Sequence, residues 1–214
     1  MPAVFGKYRG RVENNNDPMQ LGRIQVSVPP IYGDGKLSWA MPCSPFAGNK
    51  VGFFALPPVG SNIWVEFEGG NPDYPIWSGC FCGTGEVPAT PAIEDIKIFK
   101  TAGISMKFSD AKGGGGFTLE VSSPAVSMPL KIVLNSSGIE INNNNKSTIK
   151  MTSAGIEIDS PPGNIKMSQD GIEIKSPPSS IKLSSSSIDI KNGSSSIKLS
   201  PATVNVNNGA LEVM

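Results

Sequence analysis

Three cysteines, two glutamates spaced two apart and a run of glycines are the residues of this chain that bear most directly on chemistry. Cys80 and Cys82 would share one face of a strand, as the start of a metal clip, with Cys43 a distant third. A structural zinc site needs four ligands, drawn mostly from cysteine and histidine. The chain has no histidine and no second cysteine pair, so no metal or cofactor is expected and the cysteines are read as small buried apolar residues. Their odd number, without a secretion signal, argues against a disulfide scaffold. Glu66 and Glu68 mimic a carboxylate pair on one strand, but a barrel exterior or trimer contact is the expected role. Without histidine the commonest general base is missing, and the chain is expected not to be an enzyme. Gly113 to Gly116 lack the Lys-Ser/Thr and following helix of a phosphate loop. Lys7, Arg9, Arg11 and Arg23 form a candidate basic patch, with Trp39 or Trp64 as a stacking platform for single-stranded nucleic acid. Eighteen basic residues balance eighteen acidic ones, so no nucleic-acid partner is expected. The patch is assigned to contact with a partner protein or another protomer.

The elements that position these residues divide by composition. All three Trp, all three Tyr and six of nine Phe precede residue 90, and the last aromatic is Phe117. In the first part, Ile24, Val26 and Val28 alternate with polar neighbours, as do Ile63, Val65 and Phe67. Lys7, Arg9, Arg11 and Glu13 fall on one face with Tyr8 and Val12 on the other. Leu37 to Met41, Val51 to Leu56 and Ile76 to Phe81 are further strand candidates, separated by turn formers such as Gly33-Asp34-Gly35. Five or six short strands in this span predict a small closed barrel of the oligonucleotide/oligosaccharide-binding (OB) type over residues 1–83, with a small sandwich as the alternative. Residues 84–92 read as a linker, and 93–130 as a neck containing a hairpin around the glycine run. No apolar run approaches the ~20 residues of a membrane span, and the N-terminus lacks a signal pattern. Synthesis in the cytoplasm is expected.

Residues 131–214 repeat. Gly138-Ile139-Glu140-Ile141 returns as Gly155-Ile156-Glu157-Ile158, Gly171-Ile172-Glu173-Ile174, Ser187-Ile188-Asp189-Ile190 and Thr203-Val204-Asn205-Val206, at spacings of 17, 16, 16 and 16. Between them run Ile149-Lys150-Met151, Ile165-Lys166-Met167, Ile181-Lys182-Leu183 and Ile197-Lys198-Leu199. In each triplet the outer residues point one way and the middle one the other. The inward set is the predicted core: Ile139, Ile141, Ile149, Met151, Ile156, Ile158, Ile165, Met167, Ile172, Ile174, Ile181, Leu183, Ile188, Ile190, Ile197, Leu199, Val204 and Val206. The outward set alternates acid and lysine, so stacking successive strands would bring opposite charges together and disfavour slippage. Pro161-Pro162 and Pro177-Pro178 are expected to fix extended connectors, and Asn142 to Asn145 and Lys191-Asn192-Gly193 flexible turns. Two apolar residues per strand make too thin a layer for one chain. Three chains wound about an axis would close a narrow prism on the order of 50 Å long, from ~4.8 Å per layer. The fold class expected is all-β: an OB barrel followed by an intertwined triple-stranded β-helix needle in an obligate homotrimer.

This combination resembles the central spikes of contractile injection machines: phage baseplate assembly protein V, the tail-spike hub of large contractile phages, and the valine-glycine-repeat spikes of type VI secretion. The resemblance is closest in Gly6 to Gly10, Asp17 to Val26, Trp39 to Cys43, Pro57 to Glu68 and Pro72 to Gly79. It implies a structural, membrane-piercing spike assembled in a virion-like or extracellular injection particle and driven into a target cell envelope. It also implies a separate baseplate hub protein, since the chain starts at the barrel. Some relatives carry a muramidase domain between barrel and needle, or bind iron through histidines at the tip; neither fits these residues. The end, Leu211, Val213 and Met214, is expected to dock a conical tip protein of the proline-alanine-alanine-arginine (PAAR) type. A trimeric tail fibre or receptor-binding shaft is the alternative.

Overall fold

Period-two alternation runs through both parts of the chain, and in the computed structural model, which describes residues 3–144 and 146–213, it becomes strand almost everywhere. Two units emerge, Met1–Val87 and Pro88–Met214. The first contains β1 (Tyr8–Asn14), β2 (Ile24–Ser27), the single turn α1 (Pro29–Tyr32), β3 (Leu37–Pro42), β4 (Ala47–Gly48), β5 (Val51–Gly52), β6 (Asn62–Phe67) and β7 (Pro75–Cys80). Five of these close a barrel in the order β1-β2-β3-β7-β6. Its pairings are antiparallel except β3 with β7, where Met41 lies opposite Ile76. Val12, Ile24, Val26, Val28, Ala40, Ile63 and Val65 are fully buried inside it, with Phe67 nearly so. The inward positions read from alternation are the ones that fill this interior.

Three local expectations change here. Val51 to Leu56 is not a barrel strand: Val51-Gly52 pairs only with Ala47-Gly48, and Phe53 and Phe54 are exposed. The barrel closes without it because β3 reaches β7 directly. Glu68 leaves the strand and opens a 3-10 turn (Glu68–Gly70), so it does not share a strand face with Glu66. Cys43, Cys80 and Cys82 are exposed rather than buried. They sit at or just past the ends of β3 and β7, beyond the layer that covers the core.

The second unit is a single antiparallel meander. Its strands are β8 (Ile96–Lys100), β9 (Ile104–Ser109), β10 (Gly116–Val121), β11 (Leu130–Asn135), β12 (Gly138–Asn142), β13 (Thr148–Thr152) and β14 (Gly155–Ser160). There follow β15 (Gly163–Ser168), β16 (Gly171–Ser176), β17 (Ser179–Leu183), β18 (Ile188–Asn192), β19 (Ser195–Leu199), β20 (Val204–Val206) and β21 (Leu211–Val213). All fourteen lie in one sheet in sequence order. The hydrogen-bonded ladder therefore runs within the chain, and what three chains can share is the sheet's apolar face. The Pro-Pro connectors are tight reversals rather than extended links: Ser160 pairs with Gly163 and Ser176 with Ser179, with a cis bond between the prolines. Lys191 and Asn192 are strand residues, opposite Ser180 and Ser179; Asn145 lies outside the described residues.

The opposite turns use two devices. Gly138, Gly155 and Gly171 have φ of +130°, +135° and +126°, and a Cβ there would sit 1.9–2.0 Å from the carbonyl oxygen of Met151, Met167 or Leu183. No side chain fits that approach. The next two turns lack glycine, and a serine hydroxyl closes them: Ser184 Oγ accepts from Ser187 N–H and Ser200 Oγ from Thr203 N–H, both at 3.1 Å.

Candidate functional site

Isoleucine, glutamate and isoleucine in succession on a strand must present the isoleucines to one side and the acid to the other. Cross-strand register stacks these positions into continuous files. Along the outer face run Glu140, Lys150, Glu157, Lys166, Glu173, Lys182, Asp189 and Lys198, each directly opposite the next. Lys150 Nζ lies 3.8 Å from Glu140 Oε2. The Glu173 carboxyl is held below the usual range by the hydrogen bond from Lys175, aided by the charges of Lys182 and Lys166.

The inner face carries two apolar files. One is Ile141, Ile149, Ile158, Ile165, Ile174, Ile181, Ile190, Ile197 and Val206. The other is Ile139, Met151, Ile156, Met167, Ile172, Leu183, Ile188, Leu199 and Val204. Together they are the predicted core residues, brought into one plane. Ile132, Leu119 and Met106 continue the first file into the neck, and Leu134, Phe117 and Phe108 the second.

Exposure on this sheet is the reverse of a folded interior. Among the described residues beyond Gly103, none is buried. Ile139 is 39% exposed, Ile165 36% and Ile190 41%, whereas the charged Glu140, Glu157 and Glu173 between them are less exposed. A file of branched aliphatics left this open in water costs about 1 kcal/mol per side chain, and on the order of 20 kcal/mol summed over the needle positions. The charged file offers roughly 0.2–1 kcal/mol per pair, too little to compensate. The face demands a cover, and the covering term outweighs the cost of association, about 4–15 kcal/mol.

On the barrel, the four basic residues separate. Lys7 pairs with Glu66 and donates to Ser78 Oγ at 2.9 Å. The Arg9 guanidinium stacks 5.7 Å from the Trp64 ring and 5.2 Å from Phe81, whose rings are 4.8 Å apart. That occupies the Trp64 face proposed as a platform. Arg11 borders a groove of about 600 Å³ lined also by Asn62, Phe81, Cys82 and Glu86. Arg23 is engaged elsewhere, bound to Asp17 and stacked 5.3 Å from Trp39. Cys80 is exposed as a residue, but partial desolvation of its thiol, and then neighbouring Cys82, push that thiol up. At the far end, Leu211 is exposed, Val213 contributes its backbone to β21, and Met214 lies outside the described residues.

The sequence of the barrel matches the type VI secretion system/phage-baseplate injector OB domain over residues 8–81. The sheet matches the phage baseplate V C-terminal trimerisation domain over residues 96–162 and again over 155–212. The chain belongs to the phage-baseplate and type VI secretion spike family. Among members of this spike family, the type VI secretion system spike protein VgrG4b of Pseudomonas aeruginosa is 35% identical over 88 residues, 40% of this chain and 10% of its own length. The chain thus matches about a tenth of that relative. Spike architecture explains both units: an OB barrel, then the sheet of a trimeric β-helix needle. The two matches to the trimerisation domain span the whole sheet that carries the open apolar face.

Two features of the spike fold escaped the sequence reading. Asp17 stands out only within a resembling segment, although Asp followed four to six residues later by the chain-reversing Leu21-Gly22-Arg23 is the pattern of a carboxylate that gathers backbone N–H groups. The difference between the two apolar files is also visible, since from β13 to β19 methionine or leucine recurs at every second strand in one file and at none of those strands in the other.

Proposed function

We propose that this protein is the central piercing spike of a contractile injection particle, joining a baseplate hub protein to a tip protein, with a structural rather than catalytic role. The observation that carries this reading is the uninterrupted apolar face of the fourteen-stranded sheet. A rod closed by three such faces has its backbone bonds satisfied within each chain and its apolar side chains sealed between chains. It resists bending, and it unfolds slowly because separating any chain exposes the files of all three. Those are the properties a driven point needs.

In this reading Lys7, Arg9 and Arg11 on the barrel face the hub or a neighbouring barrel, and the exposed Leu211 strand, with Val213 and Met214, receives a conical tip protein. The particle is assembled from chains made in the cytoplasm and acts on a target cell envelope. Native mass is the first test: a particle near three times 22.5 kDa, persisting in detergent until boiled, is expected. The second is co-purification of that trimer with hub and inner-tube proteins. A monomeric native particle, or contractile particles that penetrate envelopes equally well after loss of this chain, overturns the proposal.

A further inference from the structure

We infer that the needle closes edge to unlike edge: the isoleucine side of each sheet packs against the methionine/leucine side of the next, with Lys175 facing Asp170 of the partner subunit. This rests on the trimeric needle of the spike reading and specifies how its three faces meet.

The two lateral edges of the sheet differ in shape. Along one edge the apolar residue nearest the strand end is Ile on each strand from Ile141 to Ile197. Isoleucine is branched at Cβ and fixed at χ1, so this file is a stiff wall. Two hollows of the apolar face lie along it. One, about 450 Å³, is walled by Ile141, Ile149 and Ile158; the other, about 270 Å³, by Ile174, Ile181 and Ile190. On the other edge Met151, Met167, Leu183 and Leu199 recur at alternate strands. These are longer, unbranched at Cβ and able to adjust. The two hollows centre on β13 and β17, strands that carry the flexible Met151 and Leu183 at their other edge.

Symmetry supplies the pairing. In a closed three-fold ring each copy is related to the next by rotation without translation, so a sheet's left edge meets its neighbour's right edge and never its own kind. The end of a strand in one copy then comes to the level of the start of the same strand in the next. Strand β16 begins at the methionine/leucine edge, just after Asp170, and reaches the isoleucine edge at Lys175. Charge fits this placement. The isoleucine edge carries Lys131, Lys175 and Lys191, with Asp159 the acid among them; Lys175 Nζ lies 2.9 Å from Glu173 Oε2 of its own strand, so the partner's Asp170 would be a second acid beside it. The turns of the other edge, from Ser136-Ser137 to Pro201-Ala202, are serine, alanine, proline and glutamine apart from Asp170. Asp170 uses its backbone N–H on Ser168 Oγ at 3.2 Å, and its side chain is exposed.

Cysteine pairing in the full chain tests the arrangement. The double variant Lys175→Cys with Asp170→Cys, treated with a short bis-maleimide, is expected to run as a covalent trimer on a denaturing gel. Each single variant should match the wild type, whose native cysteines set the background. Because strand tilt shifts the facing level, Asp159→Cys and Lys191→Cys are each combined with Asp170→Cys as neighbours two strands away. Dimers from a single variant would show like edges meeting and overturn the inference. So would the absence of covalent trimer in all three doubles while the native mass remains that of three chains. A native mass below three chains would instead remove the spike reading on which the inference stands.

Discussion

Arg23 and Asp17 form a two-pronged ion pair that organises the loop between β1 and β2. Arg23 Nε and Nη2 donate to Asp17 Oδ1 at 3.1 and 2.8 Å. The same carboxylate accepts backbone N–H groups of Met19 at 3.0 Å, Leu21 at 2.8 Å and Arg23 at 3.2 Å. The residue is buried, and a buried carboxylate persists only with such a complete set of donors. The guanidinium continues over Trp39, so the loop is tied to β3 as well as to itself.

The first prediction follows from that pair. Hydrogen bonding by Arg23, joined by the backbone groups and opposed by burial, holds the Asp17 carboxyl well below the ordinary carboxylate range. A group whose folded pKa lies below its unfolded value stabilises fully above the unfolded value, about 3.9. That contribution is lost as pH falls toward the folded value, because the unfolded chain then binds the extra proton. Asp17→Asn should therefore lower barrel stability at neutral pH, and the gap to wild type should narrow as pH falls below about 4. Tryptophan fluorescence reads this, since Trp39, Trp64 and Trp77 all lie in the first unit. A gap that stays constant down to pH 2 would refute it.

The second prediction concerns the sheet. Ile165 sits mid-file, between Ile158 and Ile174, and in a trimer three copies of it would meet. Ile165→Asp buries three unpaired carboxylates, each costing several kcal/mol. The expected result is loss of the trimer in size-exclusion chromatography with unchanged tryptophan emission from the barrel. Lys166→Gln, on the outer face next to it, should leave the trimer intact.

How far residue types alone reach is clear from these two cases. Ile-Glu-Ile at a 16-residue period announces strand, face and partner at once, because a period of two has one consistent reading and the alternating acids and lysines fix which strands adjoin. Barrel positions such as Val26 and Val65 follow from the same alternation. The Asp17 loop does not, since its five hydrogen bonds depend on a backbone path that no periodicity encodes. Val51 to Leu56 reads as a strand candidate because it is an apolar run, yet β3 closes on β7 without it. Pro161-Pro162 signals rigidity but not direction, and the reversal is set by Ser160 pairing with Gly163. Cys80 and Cys82 were placed inside by residue type, while their position at the strand end leaves them exposed.

The third prediction separates the two kinds of turn. At Gly155 a Cβ would lie 1.9 Å from Met167 O, and φ is +135°. Gly155→Ala should cost more than about 1 kcal/mol per chain, multiplied by three in the trimer. The temperature at which the trimer dissociates in detergent should fall measurably. Ser153→Ala, in the same turn but exposed, should leave it unchanged. Equal effects from both variants would show that the carbonyl approach is not what fixes glycine there.

The last prediction weighs the charged file against the apolar one. Lys166 lies opposite Glu157 on one side and Glu173 on the other, so Lys166→Glu sets three acids in succession. Each opposed pair contributes roughly 0.2–1 kcal/mol, so replacing two attractions by two repulsions should cost about 1–3 kcal/mol per chain. That is small beside the apolar term, and the trimer should survive with a lowered dissociation temperature. Salt distinguishes this cost from packing damage, because in 1 M salt the screening length falls to about 3 Å. Most of the deficit should vanish there, whereas that of Gly155→Ala should persist. A deficit that stays the same in 1 M salt would show that the outer charges do not act through their cross-strand pairing.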